Sequence, residues 1–232
     1  MPSNGERALT QFWGDLDASS IAAGINLARR NARRLADDAK ALLNAGSVPS
    51  AAALAILSLE ESGKPMVLRR LALAATPAAL KEAWKDFRRH TVKNRHWVLP
   101  AIAQGGGRSL EDMRPAVEGG EHAHLLDGLK QIALYADCLG TGGNWSDPEV
   151  VVDRGLAEHM VTLADMLAKA EVVTAREVEL WIEHVRPHNG GPYMGRAVVA
   201  YQTALHAEGL STTRPEELVA FMGELLGEEP EH

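Results

Sequence analysis

Two carboxylates, a glycine and a lysine close an apolar run: Ala51-Ala-Ala-Leu-Ala-Ile-Leu-Ser-Leu59-Glu60-Glu61-Ser-Gly63-Lys64. A segment apolar on every side belongs inside a fold. Charges at its end must be paired or working, because burying them alone is costly. A cationic stretch follows, Phe87-Arg88-Arg89-His90-Thr91-Val92-Lys93-Asn94-Arg95-His96. Acid, histidine and Arg/Lys together suit phosphodiester chemistry. Arg or Lys holds the phosphate and stabilises its developing charge. Histidine exchanges protons, and a carboxylate orients the histidine. The same residue types also build structural ion networks. The candidate catalytic set is Glu60, Glu61, Lys64, Arg88, His90 and Lys93.

Helix arithmetic sets their directions. Glu60 and Lys64 stand four apart, the spacing of a helix ion pair worth about 0.2–0.5 kcal/mol. Glu61 then needs another partner. In a helix opened by Thr76-Pro77, the residues Leu80, Trp84, Phe87 and Thr91 form one buried stripe, with Arg89, Lys93 and His96 opposite and His90 on the flank. A short link makes the two helices antiparallel neighbours. The carboxylates are therefore expected to face His90 and Arg88.

Glu-Glu-x-Gly-Lys after an Ala/Leu-rich helix, followed by Phe-Arg-x-His-x-x-Lys, resembles the AbiV-type abortive infection proteins. These are bacterial phage-defence proteins of the HEPN superfamily of helical bundles. The matching residues are Glu60, Glu61, Gly63 and Lys64, then Phe87, Arg88, His90 and Lys93. Tyr135-Ala-Asp137 and Trp145-Ser-Asp-Pro148 also fit the family's layout, and the resemblance spans residues 20 to 170. Pro65 departs from the pattern.

The resemblance implies a phage-defence protein acting on RNA or translation. Many HEPN proteins are metal-independent ribonucleases that use Arg, four to six residues, then His, often at a dimer interface. Arg89…His96 and Arg154…His159 fit that spacing, but chance in a chain of this composition supplies about as many, so they rank as secondary candidates. In the ribonuclease version His90 is the acid/base, Arg88 and Lys93 hold phosphate, and Glu60 or Glu61 holds the cluster. The superfamily also contains non-catalytic members. The alternative is a helical binding module that arrests growth by binding a phage or ribosomal partner. A regulatory helical protein without a defence role stays open as well. No cofactor or metal is expected, and self-association as a homodimer is.

Other features read more simply. His184 and His188 have helical metal-ligand spacing, but Pro187 interrupts them. Glu121, beside His122 and His124, complements a helix dipole. Gly105-Gly-Gly107 lacks the Gly-Lys-Ser/Thr ending of a phosphate loop. Arg29, Arg30, Arg33 and Arg34 read as a solvated helix face rather than an RNA-facing patch. Tyr135 and Trp145 read as packing residues, and Cys138 as a buried small hydrophobe.

The elements that position these residues follow from composition. Of 232 residues, 46% are hydrophobic, 24% charged and only 5% aromatic, with no strictly alternating β-branched runs. All-α is the expected class, as a HEPN-like antiparallel helical bundle with additional C-terminal helices. A net charge of -7 argues against broad nucleic-acid binding. A single cysteine excludes an intramolecular disulfide. No signal or membrane-spanning segment is apparent, so a cytoplasmic location is expected.

Residues 1–14 are expected to be a loose leader, 15–170 the bundle, and 171–232 an extension packed on the same array. Helices are predicted over Asp17–Ala45, from Ser47 or Ser50 through a kink at Pro65 with helical character continuing over Met66–Ala75, and from Pro77 through the cations to Ile102. A stop at Gln104–Gly107 and a short helix after Ser109 follow. Further helices are predicted over Glu121–Leu139, from Ser146 to Ala170, from Thr174 to Pro187, over Met194–Ala207, and over Pro215–Leu226.

Overall fold

The computed structural model describes residues 10–89, 120–139, 143–169 and 171–219. The expectations for residues 1–9, for His90, Thr91, Lys93 and His96, for the helical run to Ile102, for the Gln104–Gly107 stop and for a helix after Ser109 lie outside the described residues.

The fold is all-α, with one very short ribbon among the described residues. Helix α1 (Ala18–Asn44) starts where Asp17 accepts a hydrogen bond from the Ser20 N–H at 2.7 Å. Gly46, at φ +83°, turns the chain in a conformation that side chains resist. Helix α2 (Val48–Ala72) then runs back along α1, with Pro49 in its first turn, where a missing N–H costs nothing. It continues through Pro65, as the helical character of Met66–Ala75 predicts, leaving the Glu61 carbonyl without its usual helical donor. Near its C-terminus, Trp181 Nε1 donates to Arg69 O at 3.1 Å and Arg186 donates to Ala72 O at 2.5 Å.

Helix α3 (Pro77–Arg88) opens with Thr76 as cap, its hydroxyl accepting from the Ala79 N–H. It closes at Arg88, because Arg89 is extended (φ -81°, ψ 123°). The predicted single helix through the cations is thereby corrected, and face arithmetic does not extend to Arg89. Helix α4 (Gly120–Leu134) likewise stops short of Leu139. Strand β1 (Cys138–Leu139) pairs antiparallel with β2 (Asn144–Trp145). The helix expected from Ser146 to Ala170 is divided into α5 (Pro148–Val151) and α6 (Arg154–Leu167), capped by Asp147 and Asp153. Helix α7 (Ala175–Val185) carries the predicted capping box, Thr174 and Glu177 bonding each other's backbone N–H. A 3-10 turn (Arg186–His188) leads to α8 (Met194–Ala207), and helix resumes over residues 215–219.

The α1–α2 hairpin is the spine of two apolar clusters. One gathers Ala32, Ala36 and Leu43 of α1 with Ala51 to Leu59 of α2, covered by Leu126 of α4 and Met160 and Ala164 of α6. The other gathers Ile21 and Ile25 of α1 with Leu68 and Leu71 of α2, covered by Trp84, Val178, Trp181, Tyr201 and Leu205. Alanine on both helices lets their backbones approach closely, so α2 is buried almost all round, as its sequence predicts. Asn26 ties the later chain to α1: its amide donates to Val173 O and accepts from Val173 N–H, each at 2.8 Å.

Candidate functional site

The stretch Glu60–Met66 of α2 lies between the two clusters, and it is where the charges enter the interior. Glu60 is 2% exposed. Lys130 of α4, also buried, donates to Glu60 Oε1 at 2.7 Å and lies 2.9 Å from Asp127. Burial pulls the Lys130 ammonium down, but the hydrogen bonds and charges of Glu60 and Asp127 outweigh it, so its pKa is raised. Sequence reading missed Lys130 and Asp127. The available signal was an acid and a lysine three apart on the apolar helix Leu125-Leu-Asp-Gly-Leu-Lys-Gln-Ile-Ala-Leu134.

The expected Glu60–Lys64 pair is replaced by Glu61–Lys64 at 2.5 Å, both partly buried. Glu60 points to α4, and Lys64 reaches back three residues instead of four. Lys64 Nζ also sits 5.6 Å from the Phe87 ring centroid, a cation–π distance. The two motif halves therefore meet, at Lys64 and Phe87. Beside them, among the described residues, the buried Ser62 Oγ makes no hydrogen bond.

Arg88 takes a different direction from the one expected. It donates to Trp84 O at 3.1 Å and to Phe12 O, and its guanidinium lies 3.7 Å from the Trp13 ring centroid. Trp84 Nε1 donates to Gly14 O at 2.9 Å, and Phe12 packs edge-on against Trp84. Arg88 thus holds residues 12–14 against α3, a role that sequence reading did not anticipate. Arg89 is exposed, 3.9 Å from Asp86. Arg154 pairs with Glu158 at 2.8 Å on the exposed side of α6, where His159 is also exposed.

The α1 arginines serve packing as well as solvation. Arg33 bridges Asp37 and Asp165, tying α1 to α6, and Arg29 donates to Glu171 O. Arg34 pairs with Asp38. A cleft of about 250 Å³ lies between the end of α2, α3 and Asn189, crossed by the Arg70–Asp86 pair. It is smaller than an ordinary ligand pocket. Tyr135, Cys138 and Trp145 are exposed rather than packed, because α4 ends before them and the ribbon carries them outward. Among the described residues no group of His, Cys, Asp and Glu could hold a metal, and no helix is long and apolar enough to cross a membrane.

A family model described as AbiV (HEPN_AbiV) matches residues 20–169, more than half of the chain and nearly the span expected from the motifs. No curated protein and no solved structure matches. The matched span holds the α1–α2 spine, the buried Glu60–Lys130 pair and the Lys64–Phe87 contact. The chain belongs to the AbiV family, abortive-infection proteins of the HEPN superfamily of helical bundles.

Proposed function

We propose that this protein defends against phage by acting on RNA or on translation, as a metal-independent ribonuclease of the HEPN kind. Family membership across residues 20–169 is the observation that supports this reading. His90 exchanges protons, Arg88 and Lys93 hold the phosphate, and Glu61 with Lys64 fixes the adjoining wall, where Lys64 already meets Phe87. Glu60 anchors the cluster from below through Lys130. A homodimer brings two such sets together. The test is purified protein with total RNA in EDTA. Cleavage by the wild type that is lost in His90→Ala is expected; absence of cleavage, or equal cleavage by the variant, sinks the ribonuclease.

A second reading has its own observation. Arg88 is occupied by Phe12, Trp13 and Trp84, and Glu60 by Lys130, as in a structural network. In this reading the protein cuts nothing and arrests growth by binding a phage or ribosomal partner. Phage resistance that persists in folded His90→Ala and Arg88→Gln proteins supports it, and loss of resistance in both rejects it.

A further inference from the structure

Residues 131–153 contain no Lys, Arg or His but four carboxylates, Asp137, Asp147, Glu149 and Asp153. All four are exposed. The same stretch shows large apolar side chains to water: Tyr135 at 59%, Trp145 at 77% and Val150 at 79% exposed, with Leu134 and Val151 beside them. These residues are close in space. Cys138 stands directly across the ribbon from Trp145, so both side chains share one face. Ser146 closes the ribbon, its N–H donating to Asp137 O at 2.7 Å and its hydroxyl accepting from the Asp137 N–H at 3.0 Å.

The flanking cations do not neutralise this surface. Lys130 is buried on Glu60, and Arg154 is paired with Glu158. The aspartates are held in place by backbone hydrogen bonds: Asp137 accepts from the Cys138 N–H, Asp147 from the Glu149 N–H, and Asp153 from the Leu156 N–H. Exposed aromatic and aliphatic side chains rimmed by charge mark an interaction site. A negative rim repels a phosphate backbone and attracts guanidinium groups, which also stack on Trp and Tyr faces.

We infer that the ribbon and α5 form a docking surface for a basic, Arg-containing segment of a partner protein, with Trp145 as its anchor. The inference rests on the binding reading above and gives the partner's chemistry. The peptide titration below can fail while phage resistance stands, so the two are judged separately.

The test uses the full chain and a fluorescein-labelled peptide of alternating Arg and Gly, followed by anisotropy. Cys138, the sole cysteine, reports the same surface through its alkylation rate. Saturable binding is expected, weakened about tenfold by Trp145→Ala, an anchor-sized loss. Val150→Ser and Glu149→Gln weaken it less, and bound peptide slows Cys138 alkylation. A Glu/Gly peptide does neither. Three results overturn the inference. One is Arg-peptide binding that is absent, or unchanged in both Trp145→Ala and Val150→Ser. Another is a dimer in sedimentation that Trp145→Ala dissolves, which gives the surface to a second copy. The third is protection of Cys138 by single-stranded RNA but not by the Arg peptide.

Discussion

Lys130 Nζ and Glu60 Oε1 lie 2.7 Å apart, 70 positions distant in the chain and both almost wholly removed from water. The pair joins α4 to the middle of α2, where charge enters the otherwise largely apolar interior. Taking one ion away strands the other in the interior. Lys130→Met is therefore expected to cost about 3–5 kcal/mol of folding stability. Adding Glu60→Leu should recover part of that loss. Urea unfolding of the three proteins checks both; a cost below that of an exposed ion pair rejects the buried-pair account.

The same lysine gives a pH prediction. Burial lowers its pKa, but the hydrogen bonds to Glu60 and Asp127 leave it raised. The folded state thus holds the proton more tightly than the unfolded chain. Its contribution is full below the unfolded value of about 10.4 and is lost as pH rises through the higher folded value. Urea midpoints measured into the alkaline range should fall more steeply for the wild type than for Lys130→Met. Parallel curves contradict the assignment.

Asn26 makes two hydrogen bonds to one backbone residue, Val173. Asn26→Leu keeps much of the volume but leaves a partly buried N–H and C=O unanswered. About 1–3 kcal/mol of destabilisation is expected. Faster amide exchange at Val173 and the start of α7 is the local signature, and unchanged protection there counts against the clamp.

Arg88 is held by geometry as well as charge, since its planar guanidinium stacks on Trp13 while bonding two carbonyls. Lysine cannot reproduce this. Arg88→Lys and Arg88→Ala should both loosen residues 12–14, with earlier proteolysis there and a red-shifted tryptophan emission. If only the alanine variant responds, charge alone does the holding.

Much of this architecture was legible in the sequence because the signals were local. Asp17, Thr76 and the Thr174/Glu177 box each mark a helix start through a bond within three residues, and each does so in the structure. The Ala/Leu run reads as buried and is. What did not transfer was pairing across helices. Lys64 had two glutamates in reach, and the choice between them was made by Lys130, which spacing along α2 cannot see. Arg88 carries a motif position, yet its neighbours come from residues 12–14, where no pattern announces them. Tyr135 and Trp145 look like core residues by type alone. Their exposure depends on where α4 stops, a boundary that apolar periodicity leaves open.

The shared spine also orders events during synthesis. The α1–α2 hairpin can close early, since its two helices adjoin in sequence. Yet Ile21 and Ile25 share their apolar cluster with Val178, Trp181, Tyr201 and Leu205. One end of the hairpin therefore leaves the ribosome long before its lid does. Translating at about 5–20 residues per second, the cell must tolerate that apolar end for several seconds on every copy it makes. Slow codons between Leu73 and Val173 would lengthen that window, and a chaperone would find its first handle at Ile21.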